Sequence, residues 1–143
     1  MPSARILIVE DERQTVDTLR DLFEQNGYET EVALSKHVAL TILQERKMDL
    51  AIISTTVQDI SGVEILHEIR KLIPNIPVIV IGNQKSKRIE SSFMKTGPMI
   101  FIVKPVEPVF VLQMIDKLLK ARFTPSVTKS VTKKTKPYSK NKK

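Results

Sequence analysis

Cysteine is absent from this sequence, which excludes disulfide bonds and thiolate metal sites. No apolar run approaches the roughly 20 residues that a membrane-spanning helix needs. The chain begins MPSARILIVEDE and lacks the long apolar region of a signal peptide. Its 143 residues are enough for one domain with a core of its own. We therefore expect a soluble, cytoplasmic domain.

Motifs of the common enzyme classes are also missing from the sequence. It contains neither a P-loop nor a glycine-rich dinucleotide-binding fingerprint, and no nucleophile–base pair of a hydrolase is recognisable. We therefore do not expect this protein to be an enzyme.

Acidic residues are absent from the last stretch of the chain, residues 124–143, which holds seven of the 23 basic side chains, all lysines. The remaining 16 basic side chains lie in residues 1–123 and balance the 16 acids there, so the net charge of +7 belongs to the tail. The tail is rich in Ser, Thr, Lys and Pro and has few large apolar groups to bury. We expect a neutral domain over 1–123 and a disordered, lysine-rich tail over 124–143.

Apolar runs and amphipathic segments alternate five times along the chain. The runs predict five strands, at 5–9, 28–34, 50–53, 78–81 and 99–103, and each is followed by a segment with helical spacing. This alternation predicts an α/β domain whose parallel sheet has right-handed crossovers and helices on both faces. Because the second strand alternates only weakly, we expect it near an edge of the sheet.

The stretch DLAIISTTVQDISGVE, residues 49–64, is the most informative part of the sequence. Its apolar run ends at Ser54, which therefore lies at the carboxyl end of a central strand, where open parallel sheets build their sites. A loop over 55–60 follows. Ser61 and Glu64 have the spacing of a capping box, which predicts the start of the third helix.

Polar residues also follow the other central strands. Glu10 and Asp11 come after the first strand, Gly82 and Asn83 after the fourth, and Lys104 after the fifth. Two adjacent carboxylates with a lysine are suited to a site where a hard cation and an anion meet. The alternative is that Glu10 and Asp11 only begin a helix, where the helix dipole favours acids.

Four motifs in register resemble the receiver domain of response regulators in two-component phosphorelays. The resemblance covers residues 5–119 and rests on ILIVEDE at 6–12, DL-x-I-I-x(8)-G-V-E-I-L at 49–66, PVIVI at 77–81 and G-x(3)-F-I-V-K-P at 97–105. It implies a flavodoxin-like, doubly wound, five-stranded parallel sheet of order 2-1-3-4-5 with five helices. It also implies a cis Lys104–Pro105 bond.

In that family an aspartate after the third strand accepts a phosphoryl group from a histidine kinase, and an acidic pair helps it to hold Mg²⁺. A lysine steadies the phosphoryl group, a Ser or Thr after the fourth strand binds it, and an aromatic residue on the fifth strand swings inward. The resemblance places the acidic pair at Glu10 and Asp11, the lysine at Lys104 and the aromatic residue at Phe101. Phe101 as a plain core residue is the alternative.

This sequence departs from the family at the positions that matter most. Ser54 stands at the acceptor position, Gly82 at the hydroxyl position, and Gln58 replaces the proline usual in the loop. A serine hydroxyl needs a base to become a nucleophile, and it removes an anionic ligand of the cation. We therefore predict a pseudo-receiver that needs no cofactor and binds Mg²⁺ weakly at best, through Glu10 and Asp11. With Ser54 neutral, we expect Lys104 to be shared by Glu10 and Asp11.

Three alternatives remain open on the sequence alone. The chain can be a working phosphorelay receiver with an atypical site, or Ser54 can be the target of a Ser/Thr kinase. The lysine tail can make it a nucleic-acid-associated regulator, because lysines with no interleaved aromatic residue except Tyr138 favour non-specific, salt-dependent binding to nucleic acid or anionic surfaces. A purely solubilising or connecting tail is the simpler interpretation.

The surface made by the fourth helix, the fifth strand and the fifth helix is the expected place for a protein partner or a homodimer contact, as the resemblance implies. The fourth helix is basic, with Lys85, Lys87, Arg88 and Lys95, which favours an acidic partner. A solvated polar face is the alternative.

Overall fold

The computed structural model describes residues 4–84 and 86–122. In chain order its elements are β1 (Arg5–Val9), α1 (Arg13–Gln25), β2 (Glu29–Ala33), α2 (Lys36–Glu45), β3 (Leu50–Ser54), β4 (Thr56–Val57), β5 (Ile60–Ser61), α3 (Gly62–Leu72), β6 (Val78–Gly82), α4 (Lys87–Met94), β7 (Ile100–Val103) and α5 (Pro108–Arg122). Lys85 and the tail over 124–143 lie outside the described residues. Among the described residues, no helix has the length and apolarity to cross a bilayer.

Five strands form one parallel sheet in the order β2-β1-β3-β6-β7. The predicted doubly wound sheet is therefore confirmed, with β6 and β7 as the predicted fourth and fifth strands. The weakly alternating β2 lies at one edge, and the strands β3 and β6 at the centre are buried along their whole length. Strands covered on both faces need continuous apolar runs, which is why these segments were recognisable.

Alternate residues of each strand enter two separate cores. Leu7, Ala51, Ile53 and Val80 face α2, α3 and α4, whereas the neighbouring isoleucines face α1 and α5. Successive side chains of a strand point to opposite faces, so a single run such as Leu50–Ile53 supplies both cores. The two layers of helices hold the sheet rigid and fix the positions at which its strands end.

Two of the helices begin at capping serines, and α1 is followed by a glycine. Ser35 and Ser86 cap α2 and α4 by accepting hydrogen bonds from the backbone N–H of Val38 and Ile89. Gly27, with φ of +87°, follows α1 in the left-handed conformation that favours glycine. The Lys104–Pro105 bond is cis.

Two local predictions for the segment after β3 were wrong. The predicted loop over 55–60 contains a two-stranded antiparallel hairpin, β4–β5. The predicted capping box forms only in part: Ser61 accepts from the N–H of Val63, but the Glu64 carboxylate binds the Lys36 ammonium at 2.9 Å. A long-range ion pair therefore replaces the expected local bond.

Arg70, near the end of α3, joins two loops that the sequence does not connect. Its guanidinium donates to the carbonyls of Pro74 and Ile76 in the α3–β6 loop and of Pro98 just before β7. Burial lowers the pKa of this guanidinium. These bonds fix the end of α4 and the start of β7 relative to α3.

Gly62 permits a close approach between the start of α3 and the end of β3. A Cβ at this position would lie 2.1 Å from the Ser54 carbonyl oxygen, and the Gly62 N–H donates to the Thr55 carbonyl at 2.8 Å. Since the obstructing atom belongs to the backbone, no side-chain adjustment can relieve the clash.

We therefore expect Gly62→Ala to lower the free energy of unfolding by about 3 kcal/mol, because α3 must move away from β3. Urea unfolding measures the change. Gly27→Ala is the matched control: a Cβ there meets nothing within 4 Å, so only the left-handed backbone is strained, at about 1–2 kcal/mol. An equal or smaller loss in Gly62→Ala would contradict the prediction.

Candidate functional site

The Glu10 carboxylate is buried, with the residue 3% exposed, at the carboxyl edge of the sheet. Its Oε2 accepts from the backbone N–H groups of Asp11 and Glu12, both at 2.9 Å. Its Oε1 accepts from the Ser54 hydroxyl at 2.8 Å and lies 3.1 Å from the Lys104 ammonium. A carboxylate has about four lone-pair positions, and this one has four donors.

Lys104, which follows β7, is shared by two carboxylates. Its Nζ lies 2.7 Å from Glu12 Oε1 as well as 3.1 Å from Glu10 Oε1. Burial alone would lower the pKa of Lys104, but the hydrogen bonds and charges of Glu12 and Glu10 outweigh it and raise the pKa. The expectation that Lys104 is shared by Glu10 and Asp11 was wrong, because the turn after β1 directs Glu12 toward the lysine.

Asp11 is exposed, and its hydrogen bond is made to a residue outside this cluster. Its Oδ2 accepts a hydrogen bond of 2.7 Å from the backbone N–H of Gln58, at the tip of the β4–β5 hairpin. Gln58 and Asp59 both have positive φ, 50° and 65°, as a tight two-residue hairpin turn requires. Adjacent in sequence, Glu10 and Asp11 thus bind different parts of the chain.

Gly82 of β6 and Phe101 of β7 are diagonal neighbours in the sheet, where Phe101 pairs with Val80 and Gly82 pairs with Val103. A Cβ at position 82 would lie 3.0 Å from Phe101 Cζ and 2.9 Å from Thr55 Cγ2. The Phe101 ring is buried, at 6% exposure, and packs edge-on against Phe93 of α4 with centroids 6.3 Å apart. The ring therefore fills the space over Gly82 in which a larger side chain would lie.

A cleft of about 390 Å³ opens beside the cluster, between the start of α1 and the loops after β6 and β7. Glu12 and Lys104 form part of its wall, and the other lining residues are Gln14, Thr15, Thr18, Asn83, Pro105 and Val106. The Lys104–Glu12 pair is thus accessible to solvent on one side.

The structure brings together Glu10, Ser54 and Lys104 among the residues singled out in the sequence. Sequence reasoning missed Glu12 as a partner of the lysine, and it singled out Gln58 only as the replacement for a proline. The acidic run at 10–12 contained a signal for Glu12, although nothing in it showed which two acids would contact the lysine. Nothing in the sequence indicated that the backbone N–H of Gln58 would bind Asp11.

Mg²⁺ prefers an octahedral set of oxygen ligands with free lone pairs. Here the Ser54 hydroxyl is neutral and donates its hydrogen to Glu10, the Glu10 lone pairs all have donors, and Asp11 holds Gln58. Within residues 4–84 and 86–122, no group of three or more acidic or histidine side chains is arranged to hold a metal ion. As arranged, these side chains do not fit a Mg²⁺ site.

Substitutions at position 54 test the electrostatics of the cluster of Glu10, Ser54 and Lys104 directly. In Ser54→Asp a carboxylate replaces a donor to Glu10, and two unit charges about 4 Å apart repel by roughly 4 kcal/mol at an effective dielectric of 20. We expect Ser54→Asp to lower the melting temperature in the absence of metal, with Lys104 offsetting part of the loss. Ser54→Asn, a neutral side chain that can still donate, should cost less. An unchanged or raised melting temperature for Ser54→Asp would contradict this account.

The pH dependence of stability tests the Glu12–Lys104 pair. The hydrogen bond and charge of Lys104 lower the pKa of Glu12 below its ordinary value of 4.5, so this pair stabilises the fold above that pH. Its contribution is lost as the pH falls through the folded-state pKa. Lys104, whose pKa is raised, loses its contribution only in strong alkali.

We therefore expect Glu12→Gln to be less stable than the wild type at pH 7, by under about 1 kcal/mol because Glu12 is half exposed. The difference should vanish as the pH falls below the lowered pKa of Glu12. Urea unfolding across this range measures it, with Glu45→Gln, at an exposed acid on α2, as control. A difference that persists at low pH would show that the pair is not responsible.

Comparison with known proteins identifies the family. The response regulator receiver domain model matches residues 6–116. The chain is 30% identical over 117 residues to a chemotaxis protein CheY of Thermotoga maritima, covering 81% of this chain and 98% of that protein. It is also 30% identical over 102 residues to the transcriptional regulatory protein ZraR of Escherichia coli O157:H7, covering 71% of this chain but 23% of ZraR.

Solved structures agree with these sequence matches. A CheY-like response regulator receiver domain protein from Methanospirillum hungatei superposes with a TM-score of 0.82 at 27% identity, over 87% of this chain and 99% of that one. The receiver domain of NtrX from Brucella abortus superposes with a TM-score of 0.75 at 26% identity, over 80% of this chain and 98% of that one. This chain is a member of the response regulator receiver family and carries a CheY-like domain of two-component signalling.

Proposed function

We propose that this protein is a pseudo-receiver: a cytoplasmic signalling module that acts through protein–protein contact, independently of phosphorylation and without catalytic activity. The observation that carries the proposal is the state of Glu10, whose lone pairs all have donors from the protein itself. Lys104 thereby neutralises the negative charge of the pocket. A working receiver instead holds a cation and a phosphoryl group there.

Ser54 is poorly placed to accept a phosphoryl group. The residue is 5% exposed, and its hydroxyl hydrogen is donated to Glu10. Glu10 lies within reach as a base, but taking the proton would disturb its contact with Lys104. Without an available base, a serine hydroxyl is a weak nucleophile toward phosphohistidine. The same burial makes Ser54 a poor target for a Ser/Thr kinase.

The aromatic residue of β7 supports a fixed conformation. Phe101 lies inward over Gly82, a residue that has no side chain to oppose the ring and no hydroxyl of its own to bind a phosphoryl group. Its contact with Phe93 links β7 to α4. We infer that the surface of α4, β7 and α5 keeps one arrangement whatever the state of the pocket.

That surface combines apolar and basic side chains. Met94, Val103 and Val109 are 47%, 37% and 60% exposed, and Lys87, Arg88 and Lys95 are exposed on α4. Exposed apolar groups beside one sign of charge favour a partner with an acidic, partly apolar surface. A homodimer that forms through this surface is the alternative, because Val109 is apolar and exposed.

Phosphodonor titration tests the central claim. We expect no saturable amide NMR shifts when the full chain is titrated with acetyl phosphate, or with beryllofluoride, in the presence of Mg²⁺. The CheY protein of Thermotoga maritima, treated in parallel, controls for the activity of the reagents. Saturable shifts centred on residue 54 would refute the proposal and favour a working receiver with an atypical site.

A nucleic-acid-associated role is a second candidate, favoured by the seven lysines and absence of acids in residues 124–143. Such binding releases counter-ions and should weaken steeply with salt. Gel shifts of the full chain and of a chain ending at residue 123 measure it. Loss of binding on truncation would support this role, whereas equal binding by both would contradict it.

A further inference from the structure

The contact between Asp11 and Gln58 has a specific geometric requirement. The donor is a backbone N–H, 2.7 Å from Asp11 Oδ2, and it belongs to Gln58, which has a φ of 50° at the tip of the β4–β5 hairpin. Proline at position 58 would remove the N–H and hold φ near −65°. The residue type at 58 therefore decides whether this hairpin can bind Asp11.

The other carboxylate of the pocket, that of Glu10, is held by its own donors. Glu10 accepts from Ser54, Lys104 and two backbone N–H groups, and Glu12 keeps Lys104 in place from the opposite side. A divalent cation that binds Glu10 must displace one of its four donors, whereas Asp11 has a single donor, the Gln58 N–H on Oδ2. This charge-assisted hydrogen bond holds the Asp11 carboxylate toward the hairpin, so a cation that needs the same oxygen must turn it away from Gln58.

We propose that Gln58 is a specificity-determining residue that keeps divalent cations out of this pocket, by holding Asp11 with its backbone N–H. Serine at position 54 is then only one of two causes of weak cation binding. The inference rests on the proposed function, because it assumes that the wild-type pocket works without a bound cation. Hairpin and cation compete for the same carboxylate, so binding of one loosens the other.

The decisive comparison is made in full-length Ser54→Asp, which supplies a third carboxylate. Mn²⁺, which takes the same oxygen ligands as Mg²⁺, is titrated at constant ionic strength, and the free ion is counted by electron paramagnetic resonance. Three proteins are compared: Ser54→Asp alone, Ser54→Asp with Gln58→Pro, and Ser54→Asp with Gln58→Gly. Glycine is the matched control, because it keeps the N–H and tolerates the positive φ.

We expect Gln58→Pro to lower the dissociation constant for Mn²⁺ by about tenfold, the factor that corresponds to one hydrogen bond to a charged group that no longer competes with the cation. Gln58→Gly should leave it unchanged. Equal affinities in all three proteins would overturn the proposal, and so would equal tightening by proline and glycine, which would assign the effect to the side chain or to backbone strain.

Hydrogen exchange tests the contact without a proline. In Asp11→Ala the amide of Gln58 should exchange about tenfold faster than in the wild type, because it loses a charged acceptor. Asp59→Asn, at the neighbouring position of the same turn, should not change it. An unaltered exchange rate in Asp11→Ala would also overturn the proposal. Both experiments are separate from the phosphodonor titration, so either claim can fail while the other stands.

Discussion

The buried Glu10 carboxylate is the interaction on which the rest of the site depends. A charge removed from water is tolerated only when donors replace its hydration, and Glu10 receives them from the β1–α1 turn, from the end of β3 and from the residue after β7. Three separated parts of the chain are thereby joined at one edge of the sheet. Removal of any donor would leave this anion undercompensated, which links the identity of residue 54 to the stability of the fold.

The fold could be predicted because several independent patterns in the sequence indicate the same strands and helices. Apolar runs such as those of β3 and β6 are long enough to be covered on both faces, and serine caps and Gly27 mark the helix ends. The meeting of Glu10, Ser54 and Lys104 followed from topology, because the carboxyl ends of neighbouring parallel strands lie at the same edge.

The finer geometry of the site could not be predicted from the pattern of residues. Whether Asp11 or Glu12 reaches Lys104 depends on the backbone direction of a single turn, which neither periodicity nor charge determines. The hairpin after β3 depends on two residues in a left-handed conformation, Gln58 and Asp59, neither of which is glycine. Glu64 had a suitable local partner in the sequence, but Lys36 lies close to it in space and carries the opposite charge.

The segment between β3 and α3 is bounded by two fixed points. Thr55 donates to the Ile81 carbonyl, and Gly62 is seated against the backbone of Ser54. Between them, Gln58 and Asp59 are exposed at the tip of the hairpin, whereas Val57 beside them is buried in one of the two cores. A foreign epitope or reporter inserted between Gln58 and Asp59 would therefore enter the chain at the surface, provided that flanking linkers leave Val57 in its place.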